Sequence, residues 1–236
     1  MGSQSQEVLN SLTVDIYEHD FTVIMGASGA GKTTLLYALS GMDQVTSGSV
    51  RFFSHEIQRL SADSLALFRR RYCGFVFQQV FLLDNLTVLD NILVSGLLLR
   101  RNRKAIVRRA KELLGRVGLD KSAWNKFPTQ LSGGESQRAA IVRALINKPR
   151  IVFADEPTGS LNSAAGQTVL DVLTDVNEDG QSVVMVTHDI TSALRGSRIL
   201  YIKDGVLCGE CVLGPYVGHS DLRHRVLQTF LSRMGW

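Results

Sequence analysis

The stretch best equipped for chemistry is Gly26-Ala27-Ser28-Gly29-Ala30-Gly31-Lys32-Thr33-Thr34. Its spacing fits G-x-x-x-x-G-K-[ST], a loop built to hold phosphate. The glycines let the backbone turn tightly and approach an anion without Cβ clashes. The amides of Ser28 to Thr33 can then point inward at phosphate oxygens. A helix starting near Lys32 aims its positive end at the same place. Lys32 supplies a mobile cation for the β- and γ-phosphates, and the Thr33 hydroxyl can ligate Mg²⁺. The apolar, β-prone run Phe21-Thr22-Val23-Ile24-Met25 precedes the loop, so a buried strand feeds it.

Two further groups of residues carry the same chemistry. Ile151-Val152-Phe153-Ala154-Asp155-Glu156 is an apolar run ending in two acids. A buried strand of this kind delivers its carboxylates to the edge of a sheet where ligands bind. Asp155 is then suited to holding Mg²⁺ through water, and Glu156 to polarising an attacking water. An acid pair at a helix N-terminus is the alternative reading. Leu131-Ser132-Gly133-Gly134-Glu135 precedes a helix expected at 136–147 and makes a second phosphate-ready helix start. Two such starts far apart in one chain either bind two anions or share one between copies.

The elements that must carry these groups alternate. Strands are expected at 9–16, 21–25, 49–53, 74–77, 150–154 and 182–187. Helices are expected at 32–40, stopped by Gly41, at 63–71 with Ser61 or Asp63 as cap, at 163–178 and at 222–231. Residues 86–127 read as mainly helical, with Leu89, Ile92, Leu93, Ile106, Ala110, Leu113 and Leu114 at helical spacing. A hairpin is expected about Asp204-Gly205. The pattern gives an α/β chain with a largely parallel sheet.

Composition narrows the function classes. The chain has 236 residues, 44% hydrophobic and 20% charged, and a net charge of +4. That balance fits one large α/β domain and gives no sign of a nucleic-acid partner. No run is apolar enough to span a bilayer, and no basic-then-apolar leader opens the chain, so a cytoplasmic location is expected. Three cysteines do not make a disulfide framework. Cys208-Gly209-Glu210-Cys211 is a lone C-x-x-C that reads as strand packing rather than a zinc or redox site. Positive charge gathers in Arg100-Arg101-Asn102-Arg103-Lys104 and Arg108-Arg109-Lys111. It suits either a solvated helix approach or a surface facing anionic lipid.

Taken together, these motifs resemble those of the ATP-binding cassette (ABC) ATPases, the nucleotide-binding subunits of membrane transporters. The family order of P-loop, glutamine loop, Leu-Ser-Gly-Gly, acidic strand and switch histidine appears here at 26–33, Gln78, 131–135, 151–156 and His188. The resemblance implies a P-loop NTPase cassette with a RecA-like core, an antiparallel β edge and an inserted α-helical subdomain. The core would comprise 9–79 and 131–236, and the helical subdomain about 80–130. It implies ATP and Mg²⁺ as cofactors, with Thr33, Gln78 and Asp155 around the metal. It implies a homodimer in which ATP sits between the P-loop of one copy and Ser132, Gly133, Gly134 and Glu135 of the other. Glu156, His188, Lys32 and Gln78 would then be the catalytic set, with His188 on the γ-phosphate.

The chain departs from the family pattern in two places. Asn162 stands where Asp is usual, keeping hydrogen bonds and losing charge. The family's extra N-terminal strand and adenine-stacking aromatic have no counterpart in residues 1–8, and Tyr17 comes too late to serve. Either the pattern starts before this chain or another group holds the base. Within the family, Gly74-Phe75-Val76-Phe77-Gln78 and Phe153-Ala154-Asp155-Glu156-Pro157-Thr158-Gly159 are similar to the macrolide-exporter and lipoprotein-release branch. Asn162-Ser163 and Gly235-Trp236 are closest to its bacitracin-export-like resistance members. The resemblance implies export or extraction of a hydrophobic substrate or antimicrobial peptide, on the cytoplasmic face of a bacterial membrane. A separate permease would dock around 78–99, where Phe81, Leu82 and Leu83 form an apolar run. A cassette that signals to a sensor kinase or cell-wall enzyme without transport uses the same residues.

Overall fold

The computed structural model describes residues 8–99 and 102–236. Arg100 and Arg101 of the basic run, and residues 1–7, lie outside the described residues. In chain order the elements are β1 (Phe21–Met25), α1 (Lys32–Ser40), β2 (Arg51–Phe52), β3 (His55–Glu56), α2 (Ala62–Tyr72), β4 (Cys73–Phe77), α3 (Val88–Leu97), α4 (Arg103–Arg116), α5 (Lys121–Trp124), α6 (Gly133–Leu145), β5 (Ile151–Asp155), α7 (Ser163–Glu178), β6 (Ser182–Val186), α8 (Ile190–Ala193), β7 (Arg198–Lys203), β8 (Val206–Val212) and α9 (Asp221–Met234). The chain divides into two compact units, 1–60 with 184–236, and 61–183.

In the first unit, β1 is buried along its whole length and pairs in parallel with β7, Val23 opposite Ile199 and Ile24 opposite Leu200. Strand β7 turns back antiparallel into β8 at Asp204-Gly205, where both residues have positive φ. That is the backbone an Asp-Gly hairpin turn requires. Burial alternates along β8, with Cys208 on the exposed side and Cys211 on the other. The C-x-x-C spacing therefore separates its thiols, as period-two geometry dictates. Helix α1 ends as expected at Gly41, in the left-handed region with φ 66°.

Two expected strands are corrected here. Residues 9–16 form no strand: the Asn10 amide goes to the Gly205 carbonyl (2.9 Å), and its side chain to the Asp204 carbonyl (3.2 Å). The segment follows the hairpin turn instead of joining a ladder. The strand expected at 49–53 shrinks to β2, because Phe53 takes φ 52° and turns the chain into β3.

In the second unit, β4 and β5 pair in parallel from Cys73 opposite Ile151 to Phe77 opposite Asp155. The rings of Phe75 and Phe153 stack across that pair at 5.8 Å. Helices α3, α4 and α5 occupy the stretch read as helical, and Ile92, Leu93, Ile106, Ala110, Leu113 and Leu114 are buried. Buried Asn91 holds the preceding loop: its carbonyl oxygen accepts from the Leu83 amide (2.7 Å), and its amide donates to the carbonyls of Leu83, Leu86 and Thr87. A helix cannot bury such a side chain unless each of its groups is bonded.

Candidate functional site

The phosphate-binding loop leaves the buried end of β1 and is exposed at Ala27, Ser28 and Gly29 before Gly31 and Lys32 return inside. Glycine is required at Gly26 by contact: with φ +153°, a Cβ there would collide with the Ile202 carbonyl. At Gly31, φ is +96°, and a Cβ would press on Leu9 and the Val8 carbonyl at 3.0 and 3.1 Å. Lys32 is 8% exposed, and its ammonium donates to the carbonyls of Gly26 and Ala27, both at 2.8 Å. The cation thus lies folded over its own loop.

The start of α1 differs from every other described α-helix. Its N-cap, Gly31, supplies no side-chain hydrogen bond. The other eight are capped by Ser61, Thr87, Asn102, Asp120, Ser132, Asn162, Asp189 and Ser220. A helix start leaves amides in need of acceptors. With no side-chain cap from Gly31, α1 suits an anionic ligand, and the loop fits a nucleotide's phosphates. His188 belongs to the same unit. It is exposed just after β6, where the Thr187 amide donates to the Ile24 carbonyl (3.2 Å) and so ties the end of β6 to β1.

The second unit gathers the other expected residues. Asp155 ends β5 half-buried, opposite Phe77 of β4, so Gln78 follows directly from the partner strand. Glu156 takes φ 47°, a left-handed conformation that is uncommon away from glycine. Strained backbone of this kind clusters at functional sites. The turn continues with the Gly159 amide donating to the Glu156 carbonyl (3.0 Å). A Cβ on Gly159 would come within 3.0 Å of the Gln78 side-chain nitrogen, so glycine there admits Gln78. Asn162 uses its oxygen to cap α7 through the Ala165 amide (2.9 Å). That local bond needs no charge, which accounts for Asn in this position.

Ser132, Gly133, Gly134 and Glu135 start α6 three residues earlier than the glycines suggested. The cause is a reciprocal capping box. Ser132 Oγ accepts from the Glu135 amide (3.3 Å), and the Glu135 carboxylate accepts from the Ser132 amide (2.8 Å). Hydrogen bonds to it from the Ser132 amide, and then the Ser132 side chain, hold the Glu135 carboxyl below the usual carboxylate range. The pattern S-x-x-E was present as the signal for this box. Gly133 abuts Leu161 and Gly134 abuts Ala165, each leaving only 3.0 Å for a Cβ. Tyr17 stacks under the Arg198 guanidinium (4.7 Å), which is itself paired with Glu210 at 2.6 Å.

The loop, its uncapped helix and the strand behind it define the class, a P-loop nucleotide-binding fold. The ABC transporter family model matches residues 9–159. The chain belongs to the ABC transporter family, as an ATP-binding cassette of the ATPase kind. Among curated relatives, the "Macrolide export ATP-binding/permease protein MacB" of Shigella boydii serotype 4 is 42% identical over 204 residues, and its Escherichia coli K12 counterpart 41%. The match covers 86% of this chain and 31% of each relative, so the chain spans about a third of their length. A solved "dimeric structure of a post-hydrolysis state of the ATP-binding cassette MJ0796 bound to ADP and Pi" is 39% identical, with a TM-score of 0.82. It covers 92% of this chain and 95% of that one. The antiparallel edge and cassette fold expected from the motifs agree with these matches. No described helix is long and apolar enough to cross a membrane.

Proposed function

We propose that this chain hydrolyses ATP as one half of a head-to-tail dimer that drives a separate membrane permease. The observation carrying the proposal is that α1, alone among the described α-helices, has no side-chain cap. Its first-turn amides and Lys32 are suited to the β- and γ-phosphates. Ser132, Gly133, Gly134 and Glu135 of the second copy would close over the same nucleotide. The printed description of the MJ0796 cassette as dimeric, with ADP and phosphate, supports that reading.

Mg²⁺ fits the hard oxygen donors available, the Thr33 hydroxyl, the Gln78 amide oxygen and, through water, Asp155. When bound, it would neutralise charge on the β- and γ-phosphates. Phosphoryl transfer needs placement and charge neutralisation more than covalent chemistry. Glu156 accepts a proton as water attacks the γ-phosphorus and the bond to ADP breaks. Gln78 orients that water, and His188 contacts the γ-phosphate. Gly26, Ala27, Ser28, Gly29, Ala30, Gly31 and Thr34 supply backbone and shape. Residues 9–79 and 131–236 serve as the catalytic core, and about 80–130 as the helical subdomain that meets the permease. Phe81 and Leu83 are 61% and 53% exposed, which supports docking around 78–99. Similarity to the macrolide exporters favours export or extraction of a hydrophobic substrate or antimicrobial peptide, from the cytoplasmic face of the membrane.

Sedimentation of Glu156→Gln protein tests this reading. ATP with Mg²⁺ should convert it from monomer to dimer, and nucleotide-free protein should stay monomeric. ATP bound to a persistent monomer would refute the shared site.

A further inference from the structure

Helix α6 opens with the Ser132 loop, and two of its later side chains reach the segment that carries Gln78. Gln137, in the second turn and 1% exposed, donates from its side-chain amide to the Phe77 carbonyl (2.9 Å). Arg143, in the last turn, donates through one terminal nitrogen to the Val80 carbonyl (2.9 Å) and through the other to the Phe81 carbonyl. Arg143 is half-buried, and burial holds its guanidinium below the ordinary arginine value. A cation kept partly out of water in this way is best served by acceptors at fixed places, and two carbonyls supply them.

Only Gln78 and Gln79 lie between the held carbonyls of Phe77 and Val80. The Ser160 hydroxyl, from the turn after β5, donates to the Gln78 carbonyl as well (3.4 Å). The segment needs such support. Phe81 takes φ 48°, a left-handed backbone that is unusual for a bulky side chain. Strain of this kind persists only where the surroundings over-determine it. The planar guanidinium fork holds two successive carbonyls in one geometry, which a single ammonium does not. The rings of Phe77 and Phe81 meet edge to face at 5.6 Å and close the segment on itself.

We propose that Arg143 is a positioning residue for ATP hydrolysis, setting Gln78 through the carbonyls of Val80 and Phe81, with Gln137 fixing the near end. The proposal rests on the reading of Gln78 as the group that orients the attacking water. Arg143 touches neither nucleotide nor water in this scheme and acts through the backbone on either side of Gln78. A small displacement suffices, because about 1 Å of misplacement in a positioned site costs on the order of a hundredfold. The P-loop lies in the other compact unit, so its grip on the nucleotide does not depend on this clamp.

Steady-state hydrolysis by the full chain, co-expressed with the permease, tests the proposal. Arg143→Met keeps the length of the side chain and removes both donors. Its kcat should fall on the order of a hundredfold, with the KM for ATP near the wild-type value. Arg143→Lys, with one ammonium for two carbonyls, should lose less, and it carries the test if the methionine variant does not fold. A double-variant cycle with Gln78→Ala then asks whether the two residues act as one. If Arg143 acts through Gln78, replacing it should cost nothing further once Gln78→Ala is present. Additive losses overturn the proposal, as does an unchanged kcat in the Arg143 variants that fold, or a raised KM with kcat intact. Loss of co-purified permease from those variants also overturns it, and assigns the clamp to the shape of the docking loop alone. Wild-type kcat in Gln78→Ala refutes the reading of Gln78 itself, and the proposal falls with it.

Discussion

Alanine at Gly26 forces a collision that can be sized from the backbone. A Cβ there would overlap the Ile202 carbonyl oxygen and lie 3.1 Å from its carbon, where real Cβ atoms keep at least 3.0 Å from any atom. The neighbour is buried strand backbone within β7, where Ile202 pairs with Leu207 of β8, and cannot yield cheaply. The loop must back away, by about 1 Å, a misplacement that costs on the order of a hundredfold in a positioned site. Residue 26 also sits at φ +153°, which adds about 1–3 kcal/mol of strain for a side chain. Gly214→Ala separates the two effects. Its φ is +71°, but nothing lies within 4 Å of the added Cβ. We expect Gly214→Ala to lower stability by about 1 kcal/mol and to bind nucleotide as the wild type does. Gly26→Ala should bind ATP roughly a hundredfold more weakly, even at temperatures where circular dichroism reports a folded chain. Equilibrium binding of a fluorescent ATP analogue measures both. Wild-type affinity in Gly26→Ala would refute the argument that close approach to Ile202 is what positions the loop.

Glu135→Gln should keep the cap, because an amide oxygen can accept from Ser132, while removing a negative charge from beside the partner's phosphates. ATP-driven dimerisation should tighten by about fivefold, the effect of removing roughly 1 kcal/mol of like-charge repulsion at a surface, as sedimentation equilibrium would show. The Glu135 carboxyl is held below its ordinary value by bonds from Ser132, so its stabilisation is present above the usual carboxylate range and lost as pH falls through its folded value. The acid limb of wild-type unfolding should therefore be steeper than that of the glutamine variant. Arg223 donates to the carbonyls of Leu194, Leu213, Gly214, Pro215 and Gly196 and so holds α9 in place. Arg223→Met should lower stability by about 3 kcal/mol. That is a fall in Tm of roughly 6–12 °C for a chain of this size, with little change in nucleotide binding to folded protein. Burial pushes the Cys73 thiol up to about 12, whereas Cys208 is exposed. A thiol reagent at mildly alkaline pH should label Cys208 first and reach Cys73 only on unfolding, as peptide mapping would reveal.

The loop proposed to hold phosphate was legible as a motif because its chemistry is local in sequence. Glycines, a lysine and a threonine at fixed spacing define the loop whatever the rest of the chain does. Helix α7 was also legible at both ends, since Asn162 caps it and its apolar positions repeat at helical period. Residues 9–16 misled because alternation is necessary for a half-buried strand but does not provide a neighbour to pair with. Gly133 and Gly134 read as a loop ahead of α6, yet the Ser132–Glu135 box draws both into its first turn. The left-handed backbone of Glu156 leaves no mark in the sequence, because no glycine or asparagine announces it. The fit of Gln78 against Gly159 was likewise hidden, since those positions are far apart in the chain.

In the proposed dimer, each ATP is held by the P-loop of one copy and the Ser132 loop of another. Mixing two inactive variants, Lys32→Ala and Ser132→Arg, tests that directly. In a head-to-tail pair, both defects fall in one composite site and the other site is wholly wild type. ATP hydrolysis, measured with the co-expressed permease, should be absent in either variant alone and partly restored in the mixture. A mixture as inactive as its components would contradict the shared site.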